Sequence, residues 1–396
     1  MIVESTTSRF HPTADDSAWT PVDHARRIGT DVAAVWADDV DRRARFPHEA
    51  VDAMRYSGLL TCAIPTARGG QGLALAQLCA IARELGRHCA STALVFAMHH
   101  SQLQTLVRHA DTPALSDFLD EVASKAYLLA SATTEVGTGG DTGRSGCALQ
   151  PDGARVRLTK QAPVISYGEY ADAVLATARR TADSTPDDQV LVIARRGDFS
   201  LTKTGAWDTM GLRGTCSSGF VLTLETDATL VWKTPYSHIS AATMTPAAHA
   251  LWAAAWLGIA DAAAAKAGAW LRSAARKHVG TLPLGASRMA SIAVLHQQFA
   301  DSVRASAERF DTGDAESAAP PRAALATNTL KITASTMVVD IVGQALLVCG
   351  IAGYREDSEY ALGRHLRDAY GAAVMINNDR ILAASAHLAL TYRGTL

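Results

Sequence analysis

At 396 residues, 48% hydrophobic and 19% charged, the chain can bury a large core and has the polarity of an ordinary soluble globular protein. A formal net charge of −2 removes the electrostatic case for a nucleic-acid or anionic-membrane partner. Six scattered cysteines without a CxxC pair argue for reduced thiols and against a metal site, and residues 1–10 lack an apolar signal core, so a cytoplasmic location is expected.

From about residue 21 to 124 the apolar spacing is helical, with Val51-Met54-Leu59-Leu60 and Leu73-Leu75-Leu78-Ile81-Leu85 as its marks. Helices are predicted over 74–87 and 91–109, after a break at Gly69-Gly70 and Gly72. From about 126 to 235 the period shortens to that of strands. Residues 147–149 and 156–158 flank the turn Pro151-Asp152-Gly153, residues 174–176 and 190–193 flank a Pro/Asp-rich loop, and Phe220-Leu222-Leu224 alternates with polar neighbours. This block predicts a small antiparallel β-domain. Helix returns after Thr245, over about 247–276, 287–310, 323–350 and 370–390, with a Pro/Ala linker at 315–321. The stretch 247–260 is too rich in alanine to read as a membrane span. The expected organisation is α+β: a helical domain over 1–125, a β-domain over 126–240 and a helical bundle over 241–396.

The apolar run 126–130 leads into Ser131-Ala132-Thr133-Thr134-Glu135-Val136-Gly137-Thr138-Gly139-Gly140-Asp141. Threonine hydroxyls and bare backbone N–H groups suit the rim of a flat polar heterocycle or a phosphate, and the same composition also makes an ordinary glycine-rich turn. Further on stand Val164-Ile165-Ser166-Tyr167-Gly168-Glu169 and Trp207-Asp208-Thr209-Met210-Gly211-Leu212-Arg213-Gly214-Thr215. In order and spacing these three segments resemble the middle domain of the acyl-CoA dehydrogenase family of flavoproteins. Ile64-Pro65-Thr66-Ala67-Arg68-Gly69-Gly70-Gln71-Gly72 resembles the family's N-terminal Pro-x-x-x-Gly-Gly-x-Gly turn, and Arg367-Asp368-Ala369 resembles its Arg-Asp-Ala signature.

The resemblance implies an acyl-CoA dehydrogenase-like fold closing in a four-helix bundle, and a flavin cofactor, FAD ahead of FMN. It places Thr134 on the flavin pyrimidine edge with Thr133 beside it, and Ser166 near flavin N5 as a hydroxyl donor. Arg276, in Arg276-Lys277-His278-Val279-Gly280, would meet the cofactor's pyrophosphate across a subunit interface, and without that context it is a cation at a helix C-terminus. Gly350 and Gly353 match a family glycine turn, and Asn378 and Arg380 fall at further cofactor positions. The implied partners are an acyl-CoA or acyl-carrier-protein substrate, a flavin reductase or electron-transfer flavoprotein, and copies of the chain in a homotetramer or homodimer. Arg367 and Asp368 are expected to be a structural ion pair or cap.

The departures bear on chemistry. The position matching the family's catalytic Glu is Ile376, and no carboxylate stands between Ser237 and Ile259, where other members carry the base. Two replacements are open: Asp379, one helical turn past Ile376 or else a partner of the helix dipole, and His249, a base or else a packing residue. Gly140 replaces a serine that contacts the acyl chain, and Val164 replaces an aromatic residue that shields the flavin. His99 and His100 are candidate substrate contacts or residues of a helix surface. Missing base and reduced shielding favour an oxygen-using monooxygenase or oxidase. The alternatives are a dehydrogenase with a displaced base such as Asp379, and a non-catalytic homologue kept for its interface.

Overall fold

The computed structural model describes residues 19–277, 281–313 and 320–391. Thr20 accepts a hydrogen bond from the Asp23 amide and Asp23 reciprocates, starting α1 (Pro21–Ile28) with proline in its first turn. A π turn, Gly29–Ala33, carries α1 into α2 (Ala34–Arg43). Then follow α3 (His48–Tyr56), α4 (Leu75–Gly86), α5 (Ala90–His109) and α6 (Pro113–Lys125). The predicted helices over 74–87 and 91–109 are α4 and α5.

Among the described residues seven strands form the middle layer: β1 (Leu129–Ala132), β2 (Gln150–Asp152), β3 (Arg155–Ala162), β4 (Ala173–Arg179), β5 (Gln189–Arg195), β6 (Phe199–Gly205) and β7 (Gly219–Asp227). They make two sheets, β1-β4-β5 and β2-β3-β7-β6. The expected antiparallel pairing holds for β2–β3, β3–β7, β4–β5 and β6–β7, and one pair departs from it: β1 runs parallel to β4 with Leu129 opposite Ala173. The chain reaches β4 only after the β2–β3 hairpin, a connection long enough for a parallel return. The second predicted arm, 156–158, lies within β3, while the first is displaced: β2 is 150–152, and Ala148 bridges to Arg179 instead. β3 alternates exposed and buried residues, whereas β4 and β5 are buried on both faces and read as apolar runs.

The short α7 (Tyr236–Ile239) and a π turn, Ser240–Met244, lead into α8 (Thr245–Lys277). The bundle is completed by α9 (Ala286–Asp311), α10 (Pro320–Cys349), α11 (Ile351–Tyr354), α12 (Gly363–Val374) and α13 (Asn378–Thr391). α8 and α4 cross closely because both carry glycine there. A Cβ on Gly86 would lie 2.3 Å from the Ala255 carbonyl, and one on Gly258 would lie 2.2 Å from that of Arg83. α10 is long and apolar enough to span a membrane, yet here it packs against α8, α9 and α12 as an inner helix of the bundle.

Two corrections concern this region. α10 starts at Pro320, so the end of the expected linker is helical, while 315–319 lie outside the described residues. The helix expected over 370–390 is two helices, broken where Ile376 adopts φ +55 and the Asn377 side chain accepts from the Asp379 amide at 2.8 Å.

One seam joins the three layers. Arg367 pairs with Asp41 of α2 and donates to the Met210 carbonyl at 2.8 Å, and Arg213 donates to the Asp41 carbonyl at 2.8 Å. The Leu212 amide donates to Asp368 at 2.6 Å, and a Cβ on Gly211 would lie 2.2 Å from the Arg367 carbonyl. Arg367 and Asp368 are thus the structural pair and cap that the sequence implies.

Candidate functional site

The loop after β1 is held by a buried ion pair. Glu135 accepts from the Gly146 and Cys147 amides at 3.0 and 2.9 Å, from Ser145 at 2.6 Å and from Lys160 at 3.2 Å. Lys160 is fully buried and also donates to the Thr177 carbonyl at 2.9 Å. Burial pushes the Glu135 carboxyl up, and the Ser145 hydrogen bond and Lys160 cation outweigh it, holding the group below its usual range.

On this anchored loop Thr133 and Thr134 are half-buried. The Thr134 hydroxyl donates to the Val164 carbonyl at 3.3 Å, and Thr133 accepts from Ser131 at 3.4 Å. Both bonds are long enough to yield to a better partner. Beside them Ser166 ends a chain of hydroxyls: Ser166 to Ser217 at 2.8 Å, Ser217 to Thr215 at 2.8 Å, and Thr215 donating to the Leu212 carbonyl at 2.9 Å. With that donation in place, Ser217 donates to Thr215 and Ser166 donates to Ser217. In that arrangement Ser166 faces the site as an acceptor. The Leu212 carbonyl also accepts from the Trp207 indole and the Thr215 amide, both at 3.1 Å, so losing the Thr215 hydroxyl does not orphan it. The relay therefore runs in either direction, and Ser166 can accept or donate.

Gly139 and Gly140 stand at φ +61 and +84, and the Arg380 guanidinium from the first turn of α13 lies over them. A Cβ on Gly140 would be 2.9 Å from Arg380 Nη1. Among the described residues no hydrogen bond or ion pair reaches this half-buried guanidinium. Bare amides next to an unpaired cation form a cradle for an oxyanion such as phosphate.

Behind Arg380 lies the α12–α13 corner. Lys331, fully buried on α10, donates to the Ile376 carbonyl at 2.5 Å and to Asn378 Oδ1 at 2.7 Å. Asn378 also donates to Ser335 at 3.0 Å. Burial lowers the Lys331 amine to about 8. Ile376 is 39% exposed. His249 is buried, with Nδ1 on the Thr327 carbonyl at 3.2 Å, and burial lowers it to about 4, leaving a neutral ring at physiological pH. Asp379 is exposed, and no hydrogen bond or ion pair joins its carboxylate to this cluster.

His99 and His100 are not helix-surface groups. Both are fully buried; His99 meets the Leu60 carbonyl at 2.7 Å and accepts from the Leu129 amide at 3.1 Å, and His100 meets the Leu59 carbonyl at 2.8 Å. His99 has no ring nitrogen left for a substrate; it ties α5 to the start of β1. Arg276 is exposed near the end of α8 beside Tyr360, and the rest of its motif, 278–280, lies outside the described residues. Gly350, at φ +57, ends α10, and Gly353 packs on Cys349, with a Cβ there only 2.7 Å from the Cys349 Cβ. Among the described residues no hydrogen bond joins Arg276, Gly350 or Gly353 to the cluster around Arg380 within one chain.

Residues 20–126 match the acyl-CoA dehydrogenase N-terminal domain model and residues 242–375 match the C-terminal domain model. The chain belongs to the acyl-CoA dehydrogenase family. Over 373 residues it is 26% identical to the cyclohex-1-ene-1-carbonyl-CoA dehydrogenase of Geobacter metallireducens, covering 91% of this chain and 94% of that one. Among solved structures, FMN-bound TdsC of Paenibacillus sp. A11-2, a dibenzothiophene monooxygenase, superposes with TM-score 0.82 at 20% identity, over 94% of this chain and 98% of that one. Butyryl-CoA dehydrogenase of Megasphaera elsdenii superposes with TM-score 0.80 at 19% identity, over 98% and 99%. As a member of this family the chain is a flavin-dependent oxidoreductase, and the threonine rim, hydroxyl relay and glycine–arginine cradle have the chemistry such a cofactor asks for.

Lys331, Ser217 and Thr215 were not singled out from the sequence. Lys331 did carry a signal: it is the only lysine or arginine between Arg322 and Arg355, inside an apolar helix. Nothing local marks Ser217, and Thr215 enters only as the last residue of the Trp207–Thr215 segment; their role arises from the chain of contacts to Ser166.

Proposed function

We propose that this family member is an oxygen-using monooxygenase or oxidase. The observation that carries the reading is the corner at Ile376. An α,β-desaturating dehydrogenase needs a base to take the acidic α-proton of a thioester. Ile376 has none to offer, Asp379 is exposed, and His249 is buried and pinned to a backbone carbonyl. Bound flavin supplies two-electron chemistry and, once reduced, the electrons that activate oxygen. In this reading Thr133 and Thr134 orient its pyrimidine edge, and Ser166 matches the hydrogen-bonding need of N5 in either redox state. Asn378 and Arg380 take the cofactor's phosphate region, which FAD and FMN share; FAD stays the first candidate. Arg276, Gly350 and Gly353 serve a neighbouring subunit's cofactor. Val164 and Ile376 line the substrate side, where an apolar wall favours an acyl thioester or related acid that keeps its α-proton. Electrons come from a flavin reductase or from the substrate.

A second reading is an acyl-CoA or acyl-carrier-protein dehydrogenase using Asp379, favoured by the near full-length likeness to the Geobacter enzyme. Anaerobic mixing of the flavin-loaded protein with a panel of acyl-CoA thioesters separates the two. No bleaching, but turnover with reduced flavin and oxygen, is expected. Bleaching with formation of an enoyl product would overturn the oxygenase reading, and Asp379→Asn would then abolish it. Ile376→Glu is expected to confer bleaching on a protein that lacks it.

A further inference from the structure

Ile376 is strained twice over. A β-branched residue at φ +55 is a conformational outlier, and its side chain is partly exposed instead of buried in compensation. Such a conformation persists only where its surroundings enforce it. The enforcing group is Lys331, whose buried ammonium holds both ends of the corner, the Ile376 carbonyl and the Asn378 side chain, at 2.5 and 2.7 Å. No carboxylate pairs with Lys331 among the described residues, so these neutral oxygens carry its charge. A buried cation without an anion is costly, which makes a purely packing role a poor account of it. Two residues past Asn378, the same first turn of α13 carries Arg380 to the Gly139–Gly140 cradle.

We propose that Lys331 is a positioning residue for the flavin phosphate: by clamping the Ile376–Asn378 corner it sets the start of α13 and so aims Arg380 at the cradle. Lys331 is buried and two oxygens already hold it, so it acts through the corner and not by touching the phosphate. The inference rests on the proposed placement of a flavin phosphate against Arg380.

The test is titration of apo-protein with FMN, FAD and riboflavin, followed by flavin fluorescence. Riboflavin shares the ring and lacks the phosphate. Arg380→Ala should reduce the preference for FMN over riboflavin by about tenfold or more. Lys331→Met should reduce it to a similar degree while leaving riboflavin binding nearly unchanged, and Lys331→Met with Arg380→Ala together should lose no more than either alone. Glycine adopts positive φ freely, so Ile376→Gly should restore most of the preference in the Lys331→Met background and guard against misfolding as the cause. Equal loss of FMN and riboflavin binding in Lys331→Met, additive effects with Arg380→Ala, or no rescue by Ile376→Gly would each overturn the proposal. If Arg380→Ala itself leaves the preference intact, the phosphate placement fails instead. FAD reports whether the cradle serves a diester as well as a monoester.

Discussion

Ser166 depends on two hydroxyls behind it for the freedom to accept or donate. Ser217→Ala cuts the relay and leaves Ser166 without the group that fixes its proton, at a stability cost of about 1 kcal/mol. The expected outcome is a variant that still binds flavin but stabilises its oxidised and reduced forms unequally compared with the parent. That shows as a shifted reduction potential in a dye-equilibration titration, and an unchanged potential would count against a two-way relay. Gly140 gives a complementary case: a serine there would meet Arg380 Nη1 at 2.9 Å and a backbone at φ +84. Gly140→Ser should therefore weaken binding of phosphorylated flavins, although it restores the family's usual residue. At this scale the sequence was most legible where identity itself is the message. Ile376 stands where a carboxylate is expected, and no geometry is needed to see that it cannot take a proton. His99 was not legible, because its commitment to Leu60 and Leu129 depends on segments 30 or more residues away meeting it in the core.

The loop between β1 and β2 owes its shape to the Glu135–Lys160 pair, which couples it to β3 and β4. Lys160→Met would leave a buried carboxylate without its cation, a change that costs about 3–5 kcal/mol. Urea melts should register that loss, and flavin binding should fall with it because Thr133 and Thr134 ride on the same loop. α12 supplies a pH signature through Asp368, whose carboxyl burial raises to about 6. Its folded form holds the proton more tightly than the unfolded chain does, with an ordinary value near about 4. That contribution to stability is present at low pH and falls as pH rises from about 4 through 6, by on the order of 3 kcal/mol. Asp368→Asn keeps an acceptor for the Leu212 amide and removes the titration. Thermal melts should show the variant gaining on the parent from pH 4 to 7, and a gap independent of pH would refute the assignment. Helices and strands were legible from their periods: α4 buries one face through Leu75, Leu78, Cys79, Ala82 and Leu85, while α5 is buried on nearly every face and reads by its length. The break between α12 and α13 was not, because Lys331 imposes it from another helix and the local residues 370–390 are compatible with continuous helix.

For the whole molecule, Leu347, Ile351 and Tyr354 are 61%, 72% and 75% exposed around the end of α10 and α11. Large apolar side chains left in water are the kind of surface a protein partner covers, and the expected homo-oligomer would use this one. Sedimentation should find a dimer or tetramer, and Ile351→Asp should shift it toward monomer. If Arg276 serves a neighbour's cofactor, flavin should be released in step with dissociation. The three-layer plan was legible because each region keeps its own period, while the parallel β1–β4 pairing was not, since strand direction follows from connection path and leaves no mark on composition. The seam at Asp41, Gly211 and Arg367 has a consequence for building hybrids of this chain with its relatives. The β-domain looks like a cassette bounded by residues 126 and 240, but its loop at 208–213 is keyed to α2 on one side and α12 on the other. A grafted β-domain with any side chain at 211 would collide with the Arg367 backbone. Exchange of substrate specificity by domain swapping therefore has to move Asp41, the 207–215 loop and Arg367-Asp368 together, as one inherited unit cut from three separate stretches of chain.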